Sequence, residues 1–291
     1  MTASVMLDET LAPTRPVFRY FGGKWRIAPW IIGFFPLHDV YVEPFAGGAS
    51  VLMRKTRSRV EVYNDLDANV VNVFRVLRDP AQATELHRLL TLTPYARAEY
   101  EVSLEDTTDS VDPVERAYRM IVRSGMGFGS RGIMERSGFR ADGGGSGAAN
   151  DWSRFMPQIE RYVARLMGVV IEQRNALVVC RRHDGMNTLH YVDPPYPHAT
   201  RSSPRYRLDM SDDDHRALAV TLHSLQGAVV LSGYACPLYD DELFPDWQRH
   251  TRAVRTDGAC ARTEVVWLNP ACVTRLRDAA NTDALFSDGT A

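Results

Sequence analysis

The chain has 291 residues, 45% of them hydrophobic and 24% charged, and a formal net charge of −2. This composition is typical of a globular protein, and since no apolar run approaches the ~18 residues of a membrane span, no membrane segment is predicted. The small net charge does not by itself indicate a nucleic-acid-binding protein, so the distribution of charge has to decide. Four dispersed cysteines without a CxxC pair, and histidines without ligand spacing, predict reduced thiols, no metal site and a cytoplasmic protein.

The first eighty residues alternate between predicted helices and strands. A loose tail is expected at residues 1–15. The sequence then predicts a helix at 24–34, a strand at 40–43, a helix at 50–55, a strand at 59–63 and a helix with Asp67 as its N-cap. Such alternation of strands and helices is typical of a doubly wound sheet.

The middle of the chain has a different pattern. Residues 81–123 are predicted to be mostly helical, with Asp112 and Pro113 opening one helix, and residues 124–151 form a glycine-rich loop. Alternation then returns, with a helix at 153–167, strands at 169–171, 188–192 and 228–231, a helix at 211–224, and a closing hairpin of 247–254 and 263–268. The predicted organisation is therefore a flexible tail at 1–15, the first part of a sheet domain at 16–80, a mainly helical insert at 81–164, the second part of the sheet domain at 165–275 and a flexible tail at 276–291.

The tetrapeptide Asp193-Pro194-Pro195-Tyr196 follows the strand predicted at 188–192. An exocyclic amino group of adenine or cytosine is a poor nucleophile because its lone pair is delocalised into the ring. The Asp193 carboxylate and the Pro194 carbonyl can each accept one of its N–H groups, and Tyr196 offers a ring on which a flipped base can stack. These residues favour methylation of a nucleobase amine, with a plain Pro-Pro turn as the alternative.

The segment from Glu43 to Gly48 lies between a predicted strand and a predicted helix. Its glycines allow the backbone to approach a ligand closely, and open α/β sheets bind ligands at the carboxyl ends of their strands. Asp65, after the second strand, can accept the hydroxyl groups of a ribose, and Gly22-Gly23-Lys24 at a helix start suits a carboxylate. A tight turn and a helix cap are the structural alternatives. The spacing suits any adenosine-containing cofactor, although the G-x-G-x-x-G pattern of nicotinamide enzymes is missing.

Taken in order, these blocks resemble the Dam-type DNA adenine-N6 methyltransferases of bacteria and their phages. The residues that carry the resemblance are Tyr20-Phe21-Gly22-Gly23-Lys24, Val42 to Gly48, Asn64-Asp65-Leu66-Asp67, Tyr191 to Tyr196, Val230 to Tyr234 and Thr263 to Asn269. The resemblance implies a Rossmann-like methyltransferase sheet that uses S-adenosylmethionine. It also implies that the helical insert is a target-recognition domain.

The resemblance further implies which residues form the site. Catalysis is assigned to Asp193, Pro194, Pro195 and Tyr196. Cofactor binding is assigned to Tyr20, Gly22, Gly23, Lys24, Glu43, Pro44, Phe45, Gly47, Gly48, Asp65, Asn175 and Asp193. Asn175 stands where the family usually has an aspartate facing the adenine of the cofactor. Its amide can still accept a hydrogen bond but carries no charge, so a different cofactor affinity is expected.

Arginines near a glycine-rich loop form the predicted DNA interface. Arg119, Arg123, Arg131 and Arg136 flank residues 124–130, a segment that can enter a groove, contact phosphates and reach guanine edges. Arg205 lies in a segment just past the catalytic motif that is expected to fold over DNA. For any single arginine, a solvated loop or helix end is the alternative.

The expected substrate is adenine in double-stranded DNA, and the expected location is the cytoplasm, in association with the nucleoid. Cytosine N4 or RNA on the same fold is the nearest alternative, because the lone-pair argument applies equally to cytosine. A non-catalytic DNA-binding remnant and a nicotinamide oxidoreductase are further alternatives. Protein glutamine methylation is disfavoured by Asp193, where such enzymes usually carry asparagine. A cognate restriction endonuclease is left open as a partner, and neither a membrane nor a metal partner is predicted.

Overall fold

The computed structural model describes residues 12–105, 112–129, 137–141, 147–200, 209–255 and 261–287. The strands in these ranges are β1 (Val40–Glu43), β2 (Val60–Asn64), β3 (Val169–Glu172), β4 (Thr188–Val192), β5 (Ala228–Tyr234), β6 (Gln248–Arg255) and β7 (Ala261–Leu268). The α-helices are α1 (Ala28–Ile32), α2 (Ser50–Arg54), α3 (Ala68–Arg78), α4 (Pro80–Leu92), α5 (Arg97–Ser103), α6 (Pro113–Met126), α7 (Gly147–Ser153), α8 (Gln158–Leu166), α9 (Ala176–Arg182), α10 (Asp212–Ser224) and α11 (Pro270–Ser287).

The strands form one sheet in the order β3-β2-β1-β4-β5-β7-β6. Strand β1 is parallel to both β2 and β4, and β4 is parallel to β5. Strand β7 runs antiparallel to β5 and to β6, which confirms the predicted closing hairpin. The predicted α/β, Rossmann-like sheet is confirmed. Because the chain builds outward from β1 to β2 and then returns to place β4 on the other side of β1, the strand order reverses between β1 and β4.

The chain divides into two compact units. Unit 1 comprises residues 1–26, 47–55 and 67–171, and unit 2 comprises residues 27–46, 56–66 and 172–291. Unit 2 contains six complete strands of the sheet, and the boundary between the units crosses β3. Unit 1 contains α2 to α8, so the insert predicted at 81–164 falls within it together with α3 and the N-terminal segment. That the insert is a target-recognition domain remains a prediction.

Three predicted helix starts are confirmed by their capping hydrogen bonds. The Asp67 carboxylate accepts the backbone N–H of Asn69 at the start of α3. The Asp112 carboxylate accepts two N–H groups of the first turn of α6, whose first residue is a proline. Ser211 and Asp214 form a reciprocal capping box at the start of α10. Each cap satisfies backbone donors that an isolated helix start leaves unpaired.

Prolines shorten two helices relative to the prediction. The helix expected at 24–34 is limited to α1, which begins one residue before Pro29. The helix expected at 153–167 begins only after Pro157, as α8, and α7 occupies the end of the predicted glycine-rich loop. Proline is tolerated in the first turn of a helix and not in its interior, because it lacks a backbone donor and clashes with the preceding turn.

The C-terminal segment differs from the expected flexible tail. Residues 276–287 belong to α11, while residues 288–291 lie outside the described part. Asn269 explains the start of this helix, because its side-chain oxygen accepts the N–H of Cys272 at 2.9 Å and Pro270 occupies the first helical position. The sequence signal that was missed is this Asn-Pro pair. Of the tail expected at 1–15, residues 12–15 are described and residues 1–11 are not.

Candidate active site

The loops that follow β1 and β4 meet at one edge of the sheet. In the parallel register Val42 lies opposite His190, so β1 ends at Glu43 close to where β4 leads into Asp193. Neighbouring parallel strands end at the same edge, and the reversal of strand order opens a crevice there. The candidate site therefore lies where this class of sheet binds its ligands.

Asp193 is held by a chain of buried hydroxyl groups. Its Oδ1 atom accepts a hydrogen bond from Ser232 Oγ at 2.8 Å, and Ser232 Oγ lies 3.0 Å from the hydroxyl of Tyr191. The single proton of Ser232 goes to the carboxylate, so Tyr191 donates to Ser232. Burial, reinforced by the Asp193 carboxylate, raises the pKa of Tyr191 well above its ordinary value, which keeps this donor protonated. Ser232 is fully buried, so the carboxylate is anchored to the interior of the sheet.

The ring of Tyr196 is fixed rather than free to swing. Its hydroxyl donates to Glu264 Oε1 at 2.5 Å, and only 5% of the residue is exposed. Burial and the carboxylates of Asp193 and Glu264 raise the pKa of Tyr196 well above its ordinary value. The ring of Tyr234 packs edge-on against it with centroids 4.7 Å apart. Pro194 is buried and Pro195 is half-buried, so the tetrapeptide forms a rigid corner.

Sequence reasoning missed four residues around this corner. Tyr191, Ser232, Tyr234 and Glu264 lie in blocks that carried the family resemblance, but no role was assigned to them. A periodic strand pattern indicates that a serine or glutamate is inward-facing, but it does not indicate which loop residue it meets across the sheet. Tyr234 is half-buried, and the Arg262 guanidinium lies 5.2 Å from the centre of its ring.

Three neighbouring strands, β2, β1 and β4, each have a carboxylate at their last residue or directly after it. Glu43 closes β1, is 2% exposed, and accepts the hydroxyl of Tyr41 at 2.8 Å. Asp65 directly follows β2 and is half-buried, and Asp193 directly follows β4. Phe45 packs against the apolar cluster beneath this edge. Carboxylates accept from ribose hydroxyls and attract positive charge, so this set of side chains suits a positively charged adenosine derivative.

Asn175 has a structural role that the sequence interpretation did not assign. It is the N-cap of α9, where its side-chain oxygen accepts the N–H of Leu177 at 2.9 Å, and it is exposed. An amide oxygen has two lone pairs, so the cap is compatible with a second donor. The contact with the adenine of the cofactor remains a prediction.

In unit 1, Tyr20 lies close to the glycines of the predicted cofactor segments. Gly47 has a φ of +47°, and a Cβ atom there would lie 2.6 Å from the Tyr20 ring. The glycine is therefore required by a packed side chain of the protein itself, in addition to any ligand.

Gly23 donates its N–H to the carbonyl of Tyr20, and Gly22 has a φ of +73°. Lys24 is 6% exposed, and its amine donates to the Gly22 carbonyl at 2.8 Å. Gly48 is buried, with Tyr20 and Phe18 nearby.

The comparison with protein families identifies the activity of the chain. A family model for the D12 class N6 adenine-specific DNA methyltransferases matches residues 20–257. The chain belongs to this family. It is a site-specific DNA methyltransferase that modifies N6 of adenine, with S-adenosylmethionine as the methyl donor. The match confirms the resemblance to Dam-type enzymes and sets aside the cytosine-N4, RNA and nicotinamide alternatives.

The described arginines of the predicted DNA interface are engaged within unit 1 of this methyltransferase. Arg119 donates to Glu115 at 2.6 Å, and its side chain is 17% exposed. Arg123 lies one turn further along α6, and its Nε atom donates to the Arg119 carbonyl. The other predicted DNA-binding residues, Arg131, Arg136 and Arg205, lie outside the described part of the chain.

A second basic group in unit 1 was missed from the sequence. Arg15, Arg19 and Arg140 converge on the single carboxylate of Asp151, at 3.6, 3.3 and 3.1 Å. Three positive charges against one leave an excess that suits a DNA-binding enzyme. Burial, together with the Arg140 charge, lowers the pKa of Arg19. The convergence depends on residues far apart in sequence, so no local pattern predicts it.

Two further searches concern metals and membranes. Among the described residues, His, Cys, Asp and Glu side chains form no group of three or more that could hold a metal ion. Within the same ranges, no helix of the methyltransferase combines the length and apolar character needed to cross a membrane.

Proposed function

We propose that the target adenine leaves the DNA stack and that Asp193 and the Pro194 carbonyl hold its amino group during methyl transfer. The observation that carries this proposal is the position of Asp193, anchored through Ser232 at the point where the strand order reverses. A carboxylate offers about four lone-pair positions, so the Ser232 bond is compatible with accepting from an amine.

The two acceptors make the nitrogen reactive by orienting its lone pair. When each N–H points at an oxygen, the lone pair of N6 turns out of the ring plane towards the methyl donor. Positioning of this kind supplies rate by reducing the entropy lost at the transition state. The rigid Pro194-Pro195 corner supports this role, because a fixed backbone directs the carbonyl without reorganisation.

S-adenosylmethionine supplies a methyl group on a positively charged sulfur. The N6–C bond forms in line as the S–C bond breaks, and the bonding pair remains on sulfur, which leaves as a neutral thioether. The surplus proton on N6 departs afterwards to water, so Asp193 does not need to act as a strong base beforehand. Tyr196 and Tyr234 contact the extruded base, and the Tyr196–Glu264 hydrogen bond keeps the ring in place.

The cofactor roles follow the same proposal. In unit 2, Asp65 accepts the ribose hydroxyls, Glu43, Pro44 and Phe45 line the cofactor, and Asn175 accepts from its adenine. In unit 1, Tyr20, Gly22, Gly23, Lys24, Gly47 and Gly48 remain predicted cofactor residues. Support for the unit 2 set comes from the three carboxylates at the ends of adjacent strands.

Residues 81–164 are proposed as the target-recognition domain. Support comes from the placement of this range in one compact unit, whose formal charge is +3. We further propose that the enzyme acts in the cytoplasm on nucleoid DNA and protects it from a cognate restriction endonuclease. Digestion of DNA from expressing cells by endonucleases that cut the mapped sequence tests this protection.

The first experiment identifies the target. The gene is expressed in a host without DNA methylation, and modified bases are mapped by kinetic sequencing. We expect N6-methyladenine in one short sequence; methylcytosine would contradict the adenine assignment. Duplexes with 2-aminopurine at the target position then report extrusion of the base as a rise in fluorescence on binding.

The Asp193→Ala variant tests the proposed catalytic role. We expect methyl transfer to fall by at least about 10³-fold, because the acceptor that orients N6 is lost. Calorimetric binding of S-adenosylmethionine should be left largely intact, because Glu43 and Asp65 remain, and a loss of affinity far smaller than the loss of turnover separates the catalytic step from binding. Asp193→Asn, which keeps the shape but removes the charge, serves as the matched variant and should also be severely impaired. Near-normal turnover in Asp193→Ala would remove the basis of the proposal.

A further inference from the structure

We infer that Asn64 is a positioning residue that sets the affinity for S-adenosylmethionine by fixing the loops after β1 and β3. The inference rests on the proposed cofactor role of those loops. Asn64 is the last residue of β2 and is fully buried. No role in the site was assigned to it from the sequence.

The Asn64 amide group uses both its donors and its acceptor. Its Nδ2 atom donates to the Pro44 carbonyl at 2.8 Å and to the Arg174 carbonyl at 3.0 Å. Its Oδ1 atom accepts the Arg174 N–H at 2.9 Å. In addition, the Asn64 backbone carbonyl accepts the N–H of Ala46 at 2.9 Å. One residue thus makes four hydrogen bonds to two loops of unit 2.

The two bonds to Arg174 reproduce a strand pairing. The amide of Asn64 meets both the N–H and the carbonyl of one backbone residue, as a neighbouring peptide group would. Through this pairing, the hydrogen bonding between β2 and β3 extends past the ends of the two strands. Asn175, the predicted acceptor for the adenine of the cofactor, is the next residue, so its place depends on this pair.

The other two bonds hold the turn after β1. Asn64 bonds the carbonyl of Pro44 and the N–H of Ala46, the residues on either side of Phe45. Glu43 immediately precedes this turn, and Asp65 immediately follows Asn64 itself. Candidate cofactor residues from three segments are therefore connected through one side chain.

Only an amide fits this set of partners. Two carbonyl oxygens require two donors, and one N–H requires an acceptor. A carboxylate of the same shape would keep the acceptor but would place lone pairs against both carbonyls. Buried polar groups left without partners are costly, so the loops would move apart or admit water.

A matched control exists in the same unit. Asn269 is also buried, and its side chain also makes three hydrogen bonds, accepting from Val229 and Cys272 and donating to Gly227. It contacts the start of β5, at the opposite edge of the sheet from Glu43 and Asp193. Asn269→Asp therefore introduces the same chemical change away from the proposed cofactor loops.

The experiment measures cofactor binding rather than turnover. S-adenosylmethionine and its inert product S-adenosylhomocysteine are titrated calorimetrically into full-length wild type, Asn64→Asp, Asn64→Ala and Asn269→Asp, with thermal unfolding recorded for each. We expect Kd to rise at least tenfold in both Asn64 variants and to stay within twofold in Asn269→Asp. Asn64→Ala removes the amide without burying a charge, which guards against failure of Asn64→Asp to fold.

A pH series distinguishes the lost donors from general destabilisation. Burial beside two carbonyl oxygens raises the pKa of a carboxyl introduced at position 64. Once protonated it regains an O–H donor, so the tenfold deficit of Asn64→Asp relative to wild type should shrink between about pH 8 and pH 5.5. Asn64→Ala has no such group, and its deficit should not shrink.

Two results would overturn the inference. One is an unchanged Kd in either folded Asn64 variant, and the other is an equal loss in Asn269→Asp. Neither result touches the proposed function, which fails separately if Asp193→Ala retains turnover while wild type binds cofactor.

Discussion

Three carboxylates at the carboxyl edge of the sheet in unit 2 and two carboxylates of unit 1 are held by different kinds of partner. At the carboxyl edge of the sheet in unit 2, Glu43, Asp193 and Glu264 each accept a hydrogen bond from a hydroxyl group. In unit 1, Asp151 pairs with three arginines and Glu115 pairs with Arg119. A hydroxyl fixes a carboxylate without adding positive charge, whereas an arginine compensates its charge.

This difference matches a difference in overall charge. Unit 1 has 19 Lys and Arg against 16 Asp and Glu, a formal charge of +3, and unit 2 has 15 against 20, a formal charge of −5. The weak net charge of the whole chain is thus the sum of two opposed regions. Acids held by hydroxyls suit a cationic methyl donor and an amine, while arginines in excess suit phosphates. The formal charge of each unit is therefore informative, whereas the net charge of the whole chain is not.

A large effect on turnover is expected for Ser232→Ala. Removing the hydroxyl that anchors Asp193 should lower kcat about 10- to 100-fold, because the carboxylate loses its fixed orientation. Tyr191→Phe, which removes only the outer hydroxyl, should cost less. Steady-state kinetics on the mapped target measure both, and the Kd of S-adenosylmethionine should stay within twofold.

Thr221→Ala is the control for loss of a buried hydroxyl. Thr221 lies in α10, is 1% exposed and donates to the Ala217 carbonyl. Its removal should leave kcat within about twofold. If Thr221→Ala slowed the enzyme as much as Ser232→Ala, general loosening of the unit would explain both, and the hydroxyl anchor would not.

A smaller effect is expected from the arginines of unit 1. Arg19 shares Asp151 with two other arginines and is 37% exposed, whereas Arg119 has Glu115 as a partner and is 17% exposed. Arg19→Gln should weaken DNA binding about 3- to 10-fold for all sequences alike and reduce the salt slope by about one. Arg119→Gln should change affinity by less than about twofold. Fluorescence titrations across a range of salt concentrations measure both, and the reverse ranking would show that the pairing of Arg119 does not restrain it.

The smallest effect concerns a carboxylate held in a third way. Asp184 accepts the N–H groups of Gln226 and Gly227 and lies 3.3 Å from His190 Nε2. Burial opposes its ionisation, but these hydrogen bonds prevail and lower its pKa to about 2. A lowered pKa in the folded state means that Asp184 contributes stability above its unfolded pKa of about 4, and that this contribution is lost as the pH falls towards 2.

Asp184→Asn should therefore cost about 1 kcal/mol at pH 7. The gap in urea midpoint between wild type and variant should narrow between about pH 5 and pH 3. Because wild type and variant share all other titrating carboxylates, the contribution of those groups cancels in the difference between the two urea midpoints. A gap that stays constant over this range would show that the charge of Asp184 does not contribute.

The alternation of strands and helices was predictable because hydrophobic periodicity and capping residues are local signals. Each of three helix starts can be recognised within four residues of sequence from its N-cap, which is Asp67, Asp112 or Ser211. Helix ends were less predictable where prolines intervened, as at Pro29 and Pro157. The helix α11 was missed because its start depends on the Asn269-Pro270 pair, and the end of the chain was predicted to be a flexible tail.

The sequence by itself determined the family, the chemistry and the tetrapeptide Asp193 to Tyr196, because the order of the motifs and the residue types of the loops are local features of the sequence. Only the tertiary structure decided which side chains hold that tetrapeptide. Ser232 and Glu264 lie 39 and 68 residues in sequence from the tetrapeptide residues that they contact, and Asn64 lies 110 residues from Arg174, which it holds in the loop after β3. Contacts over such separations are fixed by strand order and register, which depend on the packing of the whole sheet.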